Sequence, residues 1–400
     1  MTGLNRMTTW DFIENDLSTL REAGQFKTLR NLLRPMGPVS IMDGVGEVVV
    51  LCSNDYLGLA NHPEVVEAAM SAQKTWGAGT GSVRFICGTF DYHRILEEKI
   101  ATLSGTQTAT SYVSCWCANE AAIATLMSIG GDSVVAISDE LNHASIIDAI
   151  RLGRQINKAS KSAVYKHSDM DGLEAALKEH HTSKMKLVIT DGVFSMEGDI
   201  AKLDVVHRLC EAHGALLIVD DSHGVGVCGP TGKGVAEHYG LFGKIDCMTG
   251  TLGKALGGAA GGYVASRSNL VELMHQKSRP QIFSNAVPPG TAGAATKAIE
   301  ILLRDPSRVT KLRANVNYMR EGLAKLGFET MAGPSAITPI ILGQTSKAIA
   351  ASKRLLELGV FVIGFGYPVV PDSAARLRVQ VSASHETVHL DRALSAFSKL

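Results

Sequence analysis

Residues 215–224 read Ala215-Leu216-Leu217-Ile218-Val219-Asp220-Asp221-Ser222-His223-Gly224. Five apolar residues are followed at once by two carboxylates, a hydroxyl and an imidazole. A near-continuous apolar run of this length is typical of a strand buried on both faces of a parallel sheet. Ligands of open α/β sheets bind beyond the carboxyl ends of such strands. Asp220 and His223 are therefore predicted to lie at a binding site.

The same pattern recurs from about residue 108. Strand-like runs alternate with helical periods, which indicates a large, mostly parallel sheet with helices on both faces. The predicted strands are Thr108–Val113, Ser133–Ser138, Ser162–Tyr165, Lys186–Thr190, Ala215–Asp220, Asp246–Thr249 and Gly262–Ala265, and the helices between them are Ala118–Met127, Ala144–Arg151, Met170–Lys178 and Val205–Ala212.

The texture of the sequence changes after Pro288-Pro289. Two long helices are predicted to about Leu303 and from 307 to 326, followed by strands 338–342, 360–364 and 375–381 with helices between and after them. We therefore expect three regions: an N-terminal arm (1–55), a large α/β domain (56–288) and a smaller α+β domain (289–400). The arm is predicted to begin with an amphipathic helix capped by Thr8 and Asp11.

Composition narrows the class of function. The 400 residues carry a formal net charge of +0, so no basic surface predicts nucleic acid or an anionic membrane as partner. The apolar runs are far shorter than the roughly 20 residues of a membrane span, and no secretory signal is visible. Seven scattered cysteines without a CxxC predict free thiols in a reducing cytoplasm and no metal site.

A lysine on a loop of small residues defines the candidate chemistry. Lys254 lies in Thr251-Leu252-Gly253-Lys254-Ala255-Leu256-Gly257-Gly258. A lysine of this kind, with an acid at the end of a buried strand, is what pyridoxal phosphate requires: the amine forms a Schiff base with the aldehyde, and Asp220 holds a proton on the pyridine nitrogen. The alternative is a surface lysine in a glycine turn, which the context of Asp220 and His223 disfavours. A Walker A loop is excluded by the spacing.

Other residues could hold the remaining parts of this cofactor. His143, at a predicted helix start, could stack on the ring, although a solvent-facing histidine fits the pattern equally well. Ser195 and His223 could bond the phenolic oxygen, and the alternatives are a turn serine and a structural histidine. The phosphate could bind the Thr251 hydroxyl and the backbone N–H groups of a second helix start. That start is Cys115-Trp116, where Trp116 could instead pack in the core.

A carboxylate substrate calls for an arginine. Arg376 and Arg378 are separated by one residue on a predicted strand, so their side chains share one face of the sheet. We favour Arg378 as the carboxylate ligand, because Arg376 competes with the interpretation of a solvated arginine on an edge strand.

Taken together, these motifs resemble those of the α-oxoamine synthases, a family of fold-type I pyridoxal phosphate enzymes. The resemblance runs from about residue 10 to the C-terminus and includes the segments Ser53-Asn54-Asp55-Tyr56-Leu57-Gly58-Leu59, Asn142-His143-Ala144-Ser145, Asp220-Asp221-Ser222-His223, Gly250-Thr251-Leu252-Gly253-Lys254 and Ala375-Arg376-Leu377-Arg378.

The resemblance implies the same cofactor roles for Lys254, Asp220, His143, Ser195 and His223. It adds that Arg378 binds the substrate carboxylate and that Asn54 lies near the substrate. It also implies a homodimer with active sites at the interface. In that dimer Ser284 would reach the phosphate of the neighbouring subunit.

Three further segments resemble the branch of the family that joins glycine to acetyl-CoA, and the 5-aminolevulinate and 8-amino-7-oxononanoate synthases are expected to differ there. These segments are Ser82–Thr89, Ser278–Asn285 and Tyr367–Pro371. The implied reaction is glycine + acetyl-CoA ⇌ 2-amino-3-oxobutanoate + CoA, with Lys254 as base and with cleavage, in threonine breakdown, as the cellular direction.

The chain departs from this branch near the implied cofactor or acyl pocket. The departures are Trp116-Cys117, the glycine in Gly364-Phe365-Gly366-Tyr367 where a second phenylalanine is usual, and Thr80-Gly81. The pocket is expected around Val83, Trp116 and Gly366. A different acyl-CoA or amino acid therefore stays open as an alternative. A catalytically silent subunit of the same fold is disfavoured by the presence of Lys254 and Asp220. A dinucleotide-dependent oxidoreductase would need a GxGxxG motif after an early strand, and the chain has none.

Overall fold

A computed structural model describes residues 8–23, 25–331, 333–367 and 369–400. Part of the predicted 367–371 segment, Pro368, lies outside the described residues.

The strands and helices alternate through the middle of the chain, as predicted. In chain order the strands are β1 Val39–Met42, β2 Gly46–Val50, β3 Thr108–Tyr112, β4 Val134–Asp139, β5 Lys161–Tyr165, β6 Met185–Asp191, β7 Leu216–Asp220, β8 Cys247–Thr251, β9 Gly262–Ser266, β10 Ile337–Gly343, β11 Val360–Phe361, β12 Ile363–Phe365 and β13 Ala375–Gln380.

The helices are α1 Thr9–Glu22, α2 Pro63–Trp76, α3 Asp91–Ser104, α4 Cys115–Ile129, α5 Ala144–Ile156, α6 Met170–Glu179, α7 Leu203–His213, α8 Val235–His238, α9 Ser268–Lys277, α10 Arg279–Ile282, α11 Pro289–Arg304, α12 Ser307–Lys325, α13 Thr345–Glu357 and α14 Thr387–Phe397, with short 3₁₀ turns at Gly131–Ser133 and Asp372–Ala374. The sequence pattern did not indicate β1, α3 or the short helices α8, α9 and α10.

A seven-stranded sheet forms the centre of the molecule, in the order β3-β9-β8-β7-β6-β4-β5. Strands β5, β4, β6, β7 and β8 run parallel to one another, whereas β9 is antiparallel to both β8 and β3. The prediction of a large, mostly parallel sheet is confirmed.

Alternate residues of each strand enter hydrophobic clusters on opposite faces of this sheet. In β4, Val135 and Ile137 belong to one cluster, while Val134 and Ala136 belong to the other. Burial on both faces explains why the strands read as continuous apolar runs instead of alternating ones.

The register of the parallel strands brings their polar ends together. Asp191 at the end of β6 pairs with Asp220 at the end of β7, and Asp220 pairs with Thr249 near the end of β8. One edge of an otherwise apolar sheet is therefore lined with polar groups.

Two small sheets complete the fold. Strands β10, β13 and β12 form one, and β1, β2 and β11 form the other. The predicted single strand 360–364 is wrong, because Val362 separates β11 from β12 and the two pair in different sheets. Since β11 pairs with β2, the N-terminal arm and the C-terminal segment share a sheet. The division into an arm and two domains stays a prediction.

Helix α1 has the predicted capping box, in which the Thr8 side chain and the Asp11 carboxylate bond each other's backbone N–H groups. Its apolar residues are not packed within the chain, and Trp10 is 77% exposed. In the part of the chain that the structure describes, no helix has the length and apolar character needed to cross a membrane.

Candidate active site

A cavity of about 230 Å³ opens at the carboxyl ends of the central strands. Eight of the predicted cofactor residues line it, although they come from five separate stretches of sequence. The lining consists of Cys115, Trp116, His143, Ser145, Asp191, Ser195, Asp220, Ser222, His223, Thr251 and Lys254.

A larger cavity, of about 440 Å³, lies around Arg84 and Glu97. Arg84 forms a two-point ion pair with Glu97, at 2.6 and 3.1 Å. Because these charges already satisfy each other, the cavity offers no free reactive group from this pair. We therefore place the chemistry at the smaller cavity.

Lys254 lies half-buried in the loop after β8, and its Nζ lies 2.9 Å from Nε2 of His223. Burial lowers the pKa of the Lys254 amine, and the negative charge of Asp220 only partly opposes that effect. An amine with a lowered pKa is unprotonated more often near neutral pH, as a nucleophile or general base must be.

Asp220 is buried at the end of β7, where three groups hold its carboxylate. The Nδ2 group of Asn119 donates to Oδ2 at 2.7 Å, and the backbone N–H of Ser222 donates to Oδ1 at 3.0 Å. The Cys115 thiol lies 3.7 Å from both oxygens. These donors stabilise an ionised carboxylate inside the protein, which is the state needed to hold a cation-like N–H.

His223 bridges Lys254 and a buried tyrosine. Its Nδ1 lies 2.8 Å from the hydroxyl of Tyr56, while its Nε2 faces Lys254. Burial lowers the pKa of His223 well below its usual value, and the charges of Lys254 and Arg378 add to that effect. His223 is therefore neutral, with one ring nitrogen free to accept a proton or hydrogen bond.

His143 lies at the N-cap of α5 with its ring open to the cavity. Its backbone N–H donates to Oδ2 of Asp191 at 2.8 Å, and Nδ1 lies 2.7 Å from the hydroxyl of Ser145. The Trp116 ring meets it edge to face, with the ring centres 6.0 Å apart. Burial lowers the pKa of His143, although Asp220 opposes this. The ring is a neutral flat surface against which another flat ring can stack.

The first turn of α4 faces the same cavity. Ser114 caps this helix by accepting the Cys117 N–H at 3.2 Å. The first N–H groups of a helix, here those of Cys115 and Trp116, have no partner inside the helix and suit an anion. Thr251 contributes a hydroxyl at the end of β8, where it also accepts the Gly253 N–H at 3.0 Å.

Arg376 and Arg378 are both buried, yet their surroundings differ. Arg376 binds Glu197 at 3.2 Å and the backbone oxygens of Met196 and Ala374. Within the described residues, Nε and Nη2 of Arg378 have no hydrogen-bond partner although its relative exposure is only 7%. A buried guanidinium without a partner is costly, so Arg378 is the arginine suited to an incoming carboxylate.

Four predicted residues, among them Arg378, lie outside the cavity lining. Asn54 accepts from Gln380 at 2.6 Å and from Tyr56 at 3.3 Å, and so borders the Tyr56–His223 pair. Val83 forms an isolated β-bridge with Asn285, next to Ser284. The prediction that Ser284 reaches a neighbouring subunit concerns a second chain and stays a prediction.

The residues present fit pyridoxal phosphate. Asp220 offers an ionised acceptor, Lys254 a buried amine, His143 an open ring face, and the α4 start an anion site. The unpartnered nitrogens of Arg378 fit the carboxylate of an amino acid that the cofactor activates. The donor set therefore matches each charged part of that cofactor and its substrate.

Besides Asp191 and Ser222 of the cavity lining, four buried polar side chains around the site were not predicted from the sequence. Asn119, Ser145, Tyr56 and Thr249 are all buried and hydrogen-bonded to site residues or to one another. One signal was available for Asn119: asparagine is unfavourable inside a helix, so its position in an otherwise apolar stretch of α4 indicates a tertiary partner.

The chain is similar to known proteins over nearly its whole length. The model of the family "Aminotransferase class I and II" matches residues 46–397. An 8-amino-7-oxononanoate synthase of Thermoanaerobacter pseudethanolicus is 45% identical over 98% of this chain and 96% of its own length. The 2-amino-3-ketobutyrate coenzyme A ligases of Bos taurus (mitochondrial) and Escherichia coli are 43% and 42% identical, over 96% and 97% of this chain and 90% and 96% of theirs.

Solved structures extend the likeness to the whole fold. A structure of SPT with PLP (pyridoxal phosphate) is 28% identical and superposes with a TM-score of 0.90, over 99% of this chain and 98% of that one. The serine palmitoyltransferase of Sphingomonas wittichii is 27% identical with a TM-score of 0.89, over the same shares. The chain therefore belongs to the class I and II aminotransferase family of fold-type I enzymes and, within it, to the α-oxoamine synthases. Its cofactor is pyridoxal phosphate.

Proposed function

We propose that this enzyme joins glycine to the acetyl group of acetyl-CoA, giving 2-amino-3-oxobutanoate and CoA, as a glycine C-acetyltransferase. Arg378 is the observation that carries the amino-acid half of the proposal. Its buried guanidinium has no hydrogen-bond partner for Nε or Nη2 in the described chain, and a substrate carboxylate supplies one.

The acetyl half of the proposal is supported by relatives named 2-amino-3-ketobutyrate coenzyme A ligase, which are 42–43% identical over nearly the whole chain. It is also supported by the segments 82–89 and 278–285, which resemble that branch. Val83 of the first segment and Asn285 of the second pair with each other, so we assign both to one acyl-donor region.

The cofactor is held by residues that the cavity already brings together. Asp220 would accept a hydrogen bond from the protonated ring nitrogen, and His143 would cover one ring face. Ser195 and His223 would face the phenolic oxygen. The phosphate binds the amides of Cys115 and Trp116, the hydroxyl of Thr251, and Ser284 of a second copy of this chain.

Lys254 is the base of the reaction. Arg378 fixes the carboxylate of glycine, so that one Cα–H bond points toward the Lys254 amine. Bound pyridoxal phosphate supplies an electron sink for the negative charge left on the substrate. Lys254 Nζ accepts the Cα proton, and His223 Nε2, 2.9 Å away, keeps the amine in place. The reaction is reversible, and we propose cleavage of the ketoacid during threonine breakdown as the cellular direction.

A second candidate is 8-amino-7-oxononanoate synthesis, because relatives with that name are 45% identical over 98% of the chain. The nine-carbon product requires an acyl group much longer than acetyl. We propose the acetyl reaction first because the 82–89 and 278–285 segments resemble the glycine branch.

The test is a panel of amino acids and acyl-CoAs incubated with the purified enzyme, with CoA release followed by a thiol reagent. We expect the highest kcat/KM for glycine with acetyl-CoA. A strong preference for a long acyl chain or for an amino acid with a side chain would contradict the acetyl assignment. The Lys254→Ala variant, assayed in parallel, gives the background of thioester hydrolysis.

We further propose a homodimer in a reducing compartment, the cytoplasm. All seven cysteines are free thiols, which supports a reducing environment.

A further inference from the structure

Two buried polar side chains, Asn119 and Ser145, connect Asp220 to His143, and Thr249 holds Asn119 from the side. Asn119 lies at the centre: its Nδ2 is 2.7 Å from Asp220 Oδ2 and 2.8 Å from Ser145 Oγ. Its Oδ1 is 2.6 Å from Thr249 Oγ1. Ser145 Oγ then lies 2.7 Å from Nδ1 of His143. The connected residues come from α4, α5, β7 and β8.

The direction of each hydrogen bond follows from the chemistry of its atoms. An ionised carboxylate can only accept, so the Asn119 atom that faces Asp220 must be the NH₂ group. Its second proton points to Ser145 Oγ, which therefore accepts. Thr249 donates to the carbonyl oxygen of Asn119, and all the polar atoms of the Asn119 amide are thus used.

The proton of Ser145 is then available for His143. The backbone N–H of Ser145 also points at His143 Nδ1, at 3.3 Å, and a backbone N–H can only donate. Nδ1 of His143 must therefore be an unprotonated acceptor. A neutral imidazole with a bare Nδ1 carries its proton on Nε2.

We propose that Asn119 and Ser145 are positioning residues that link Asp220 to His143, fixing the carboxylate of Asp220 and holding His143 as the Nε2–H tautomer. Asn119 fixes which oxygen of Asp220 remains available to the cavity, while Ser145 fixes which edge of the His143 ring carries hydrogen. The inference rests on the roles proposed above for Asp220 and His143, but on neither glycine nor acetyl-CoA.

The link has a consequence for charge. An imidazole whose Nδ1 already accepts two hydrogen bonds resists protonation, so His143 stays neutral beside Lys254. Asp220 favours protonation of His143, whereas burial and the positive charge of Lys254 oppose it. Asp191 accepts the backbone N–H of His143, and burial raises the pKa of the Asp191 carboxyl well above its usual value. Without the Ser145 donor, less would oppose the attraction of Asp220 for a proton on His143. The His143 ring would then become charged at a higher pH.

The first test is the ring-nitrogen NMR spectrum of substrate-free protein labelled with ¹⁵N at histidine, in the apo form and with pyridoxal phosphate. The His143 signals are assigned by comparison with His143→Gln. We expect an unprotonated Nδ1 and a protonated Nε2 near neutral pH. A protonated Nδ1 would overturn the proposal. This spectrum needs no variant of Asn119 or Ser145, so it stays decisive if those variants fold poorly.

The second test compares Ser145→Ala and Asn119→Ala with Thr249→Ser, which keeps the hydroxyl that bonds Asn119. In Ser145→Ala we expect the Nε2–H tautomer to be lost in part and the His143 titration to move to higher pH. Asn119→Ala should shift the same signals, although Asn119 does not touch His143. It should also weaken binding of pyridoxal phosphate to the apo-enzyme roughly tenfold, the cost of one hydrogen bond to a charged group.

Thr249→Ser should leave the His143 signals as in wild type. Unchanged His143 signals in both alanine variants would overturn the link even if each variant lost activity. A wrong assignment of substrates would leave all these spectra as expected, because no substrate is present. The failure of this inference and the failure of the proposed function can therefore be told apart.

Discussion

At the scale of single residues, the two arginines of β13 show how similar sequence positions take opposite tasks. Arg376 is consumed by Glu197 and by two backbone oxygens, whereas Nε and Nη2 of Arg378 have no partner in the described chain. The Phe365 ring, 5.9 Å from the guanidinium, is its aromatic neighbour. Arg376 therefore stabilises the fold, whereas burial of Arg378 is costly until a ligand carboxylate bonds its free nitrogens.

Replacing Arg378 should separate binding from stability. Arg378→Met should raise KM for the amino acid about 10- to 100-fold, because a charge-assisted hydrogen bond is lost. The same variant should keep or raise the melting temperature of the substrate-free protein, since a buried charge without a full set of partners is removed. Steady-state kinetics and thermal unfolding measure the two effects. A variant with normal KM would contradict the assignment.

Arg376→Met is the matched control and should behave in the reverse way. Removing one partner of a buried ion pair leaves the other charge uncompensated, and this costs about 3 kcal/mol or more. We therefore expect a lower free energy of unfolding in denaturant titrations, with a KM for the amino acid close to wild type in whatever protein remains folded.

Lys254→Ala should abolish turnover, because both the attachment point of the cofactor and the base are lost. Removal of a general base alone costs about 10²- to 10⁴-fold in rate. Borohydride reduction of wild type should remove the visible absorbance band and leave the cofactor covalently attached to the protein. Reduced Lys254→Ala should carry no covalently attached cofactor. Lys254→Arg keeps the charge but, with its high pKa, should fail equally. A wild type that never binds the cofactor would contradict the assignment.

Residue by residue, the sequence was most informative where local pattern and chemistry coincide. Asp220 is the last residue of β7, Lys254 lies in the loop that follows β8, and both line the cavity. Asn119 and Tyr56 were missed because their partners are distant: Asn119 meets Asp220 across 101 positions, and Tyr56 meets His223 across 167. No periodicity in a single sequence encodes such pairings.

At the scale of elements, His167 connects the loops that follow three neighbouring strands. Its Nδ1 lies 3.0 Å from Asp139, at the end of β4, and its Nε2 lies 2.9 Å from Asp199, beyond β6. His167 itself follows β5. The residue after it, Ser168, has a φ of 56°, an uncommon conformation for a residue with a side chain. The His167 imidazole, hydrogen-bonded at both ring nitrogens, holds these loops together.

The His167 contacts predict a stability change at high pH. Burial lowers the pKa of His167, but the hydrogen bonds to Asp139 and Asp199 outweigh it and raise that pKa to about 10. A pKa raised on folding stabilises the protein fully below the usual histidine pKa of 6.5, and the effect is lost as pH rises through about 10. The melting temperature of wild type should therefore fall as the pH rises from 6.5 to about 10.

His167→Gln is the control, because other lysines and tyrosines also titrate in alkaline solution. The difference in melting temperature between wild type and His167→Gln should be largest near neutral pH and should vanish above pH 10 or so. A difference that does not change with pH would show that the histidine acts through packing alone.

The elements themselves followed from hydrophobic pattern where burial is continuous. Each central strand was predicted to within two residues at either end. The errors fall where pairing, not pattern, sets the boundary. The apolar run 360–364 reads as one strand, yet it divides at Val362 because β11 pairs with β2 and β12 pairs with β13.

At the scale of the whole molecule, large apolar side chains lie exposed on the two segments that the Val83–Asn285 bridge joins, 82–89 and 278–285. Phe85, Ile86 and Phe283 are between 64% and 71% exposed. Exposed aromatic groups in contiguous sets are typical of association surfaces. This observation supports the proposed homodimer, and light scattering should give a mass of two chains for the wild type.

Mixed dimers provide a sharper test of the shared active site. Lys254→Ala and Ser284→Asp chains should each be inactive alone, the second because an aspartate repels the phosphate of the neighbouring site. If Ser284 acts in trans, unfolding and refolding the two together places both defects in one site and leaves the other intact. About one quarter of wild-type activity should return, since half of the random dimers are mixed. No recovery would place Ser284 in its own subunit's site, whereas a Ser284→Asp chain that is active alone would place it outside the site.

The bridge between Val83 and Asn285 ties together two exposed segments that are 202 positions apart in sequence (285 − 83). Asp220 ends β7 and Lys254 follows β8. Both strands belong to the central sheet, where β7 and β8 pair with each other and β8 also pairs with β9. On the acyl-donor assignment proposed above, a change of acyl preference requires the exchange of residues 82–89 and 278–285 as a pair. Such a cassette could be transplanted while the machinery for proton transfer stays untouched.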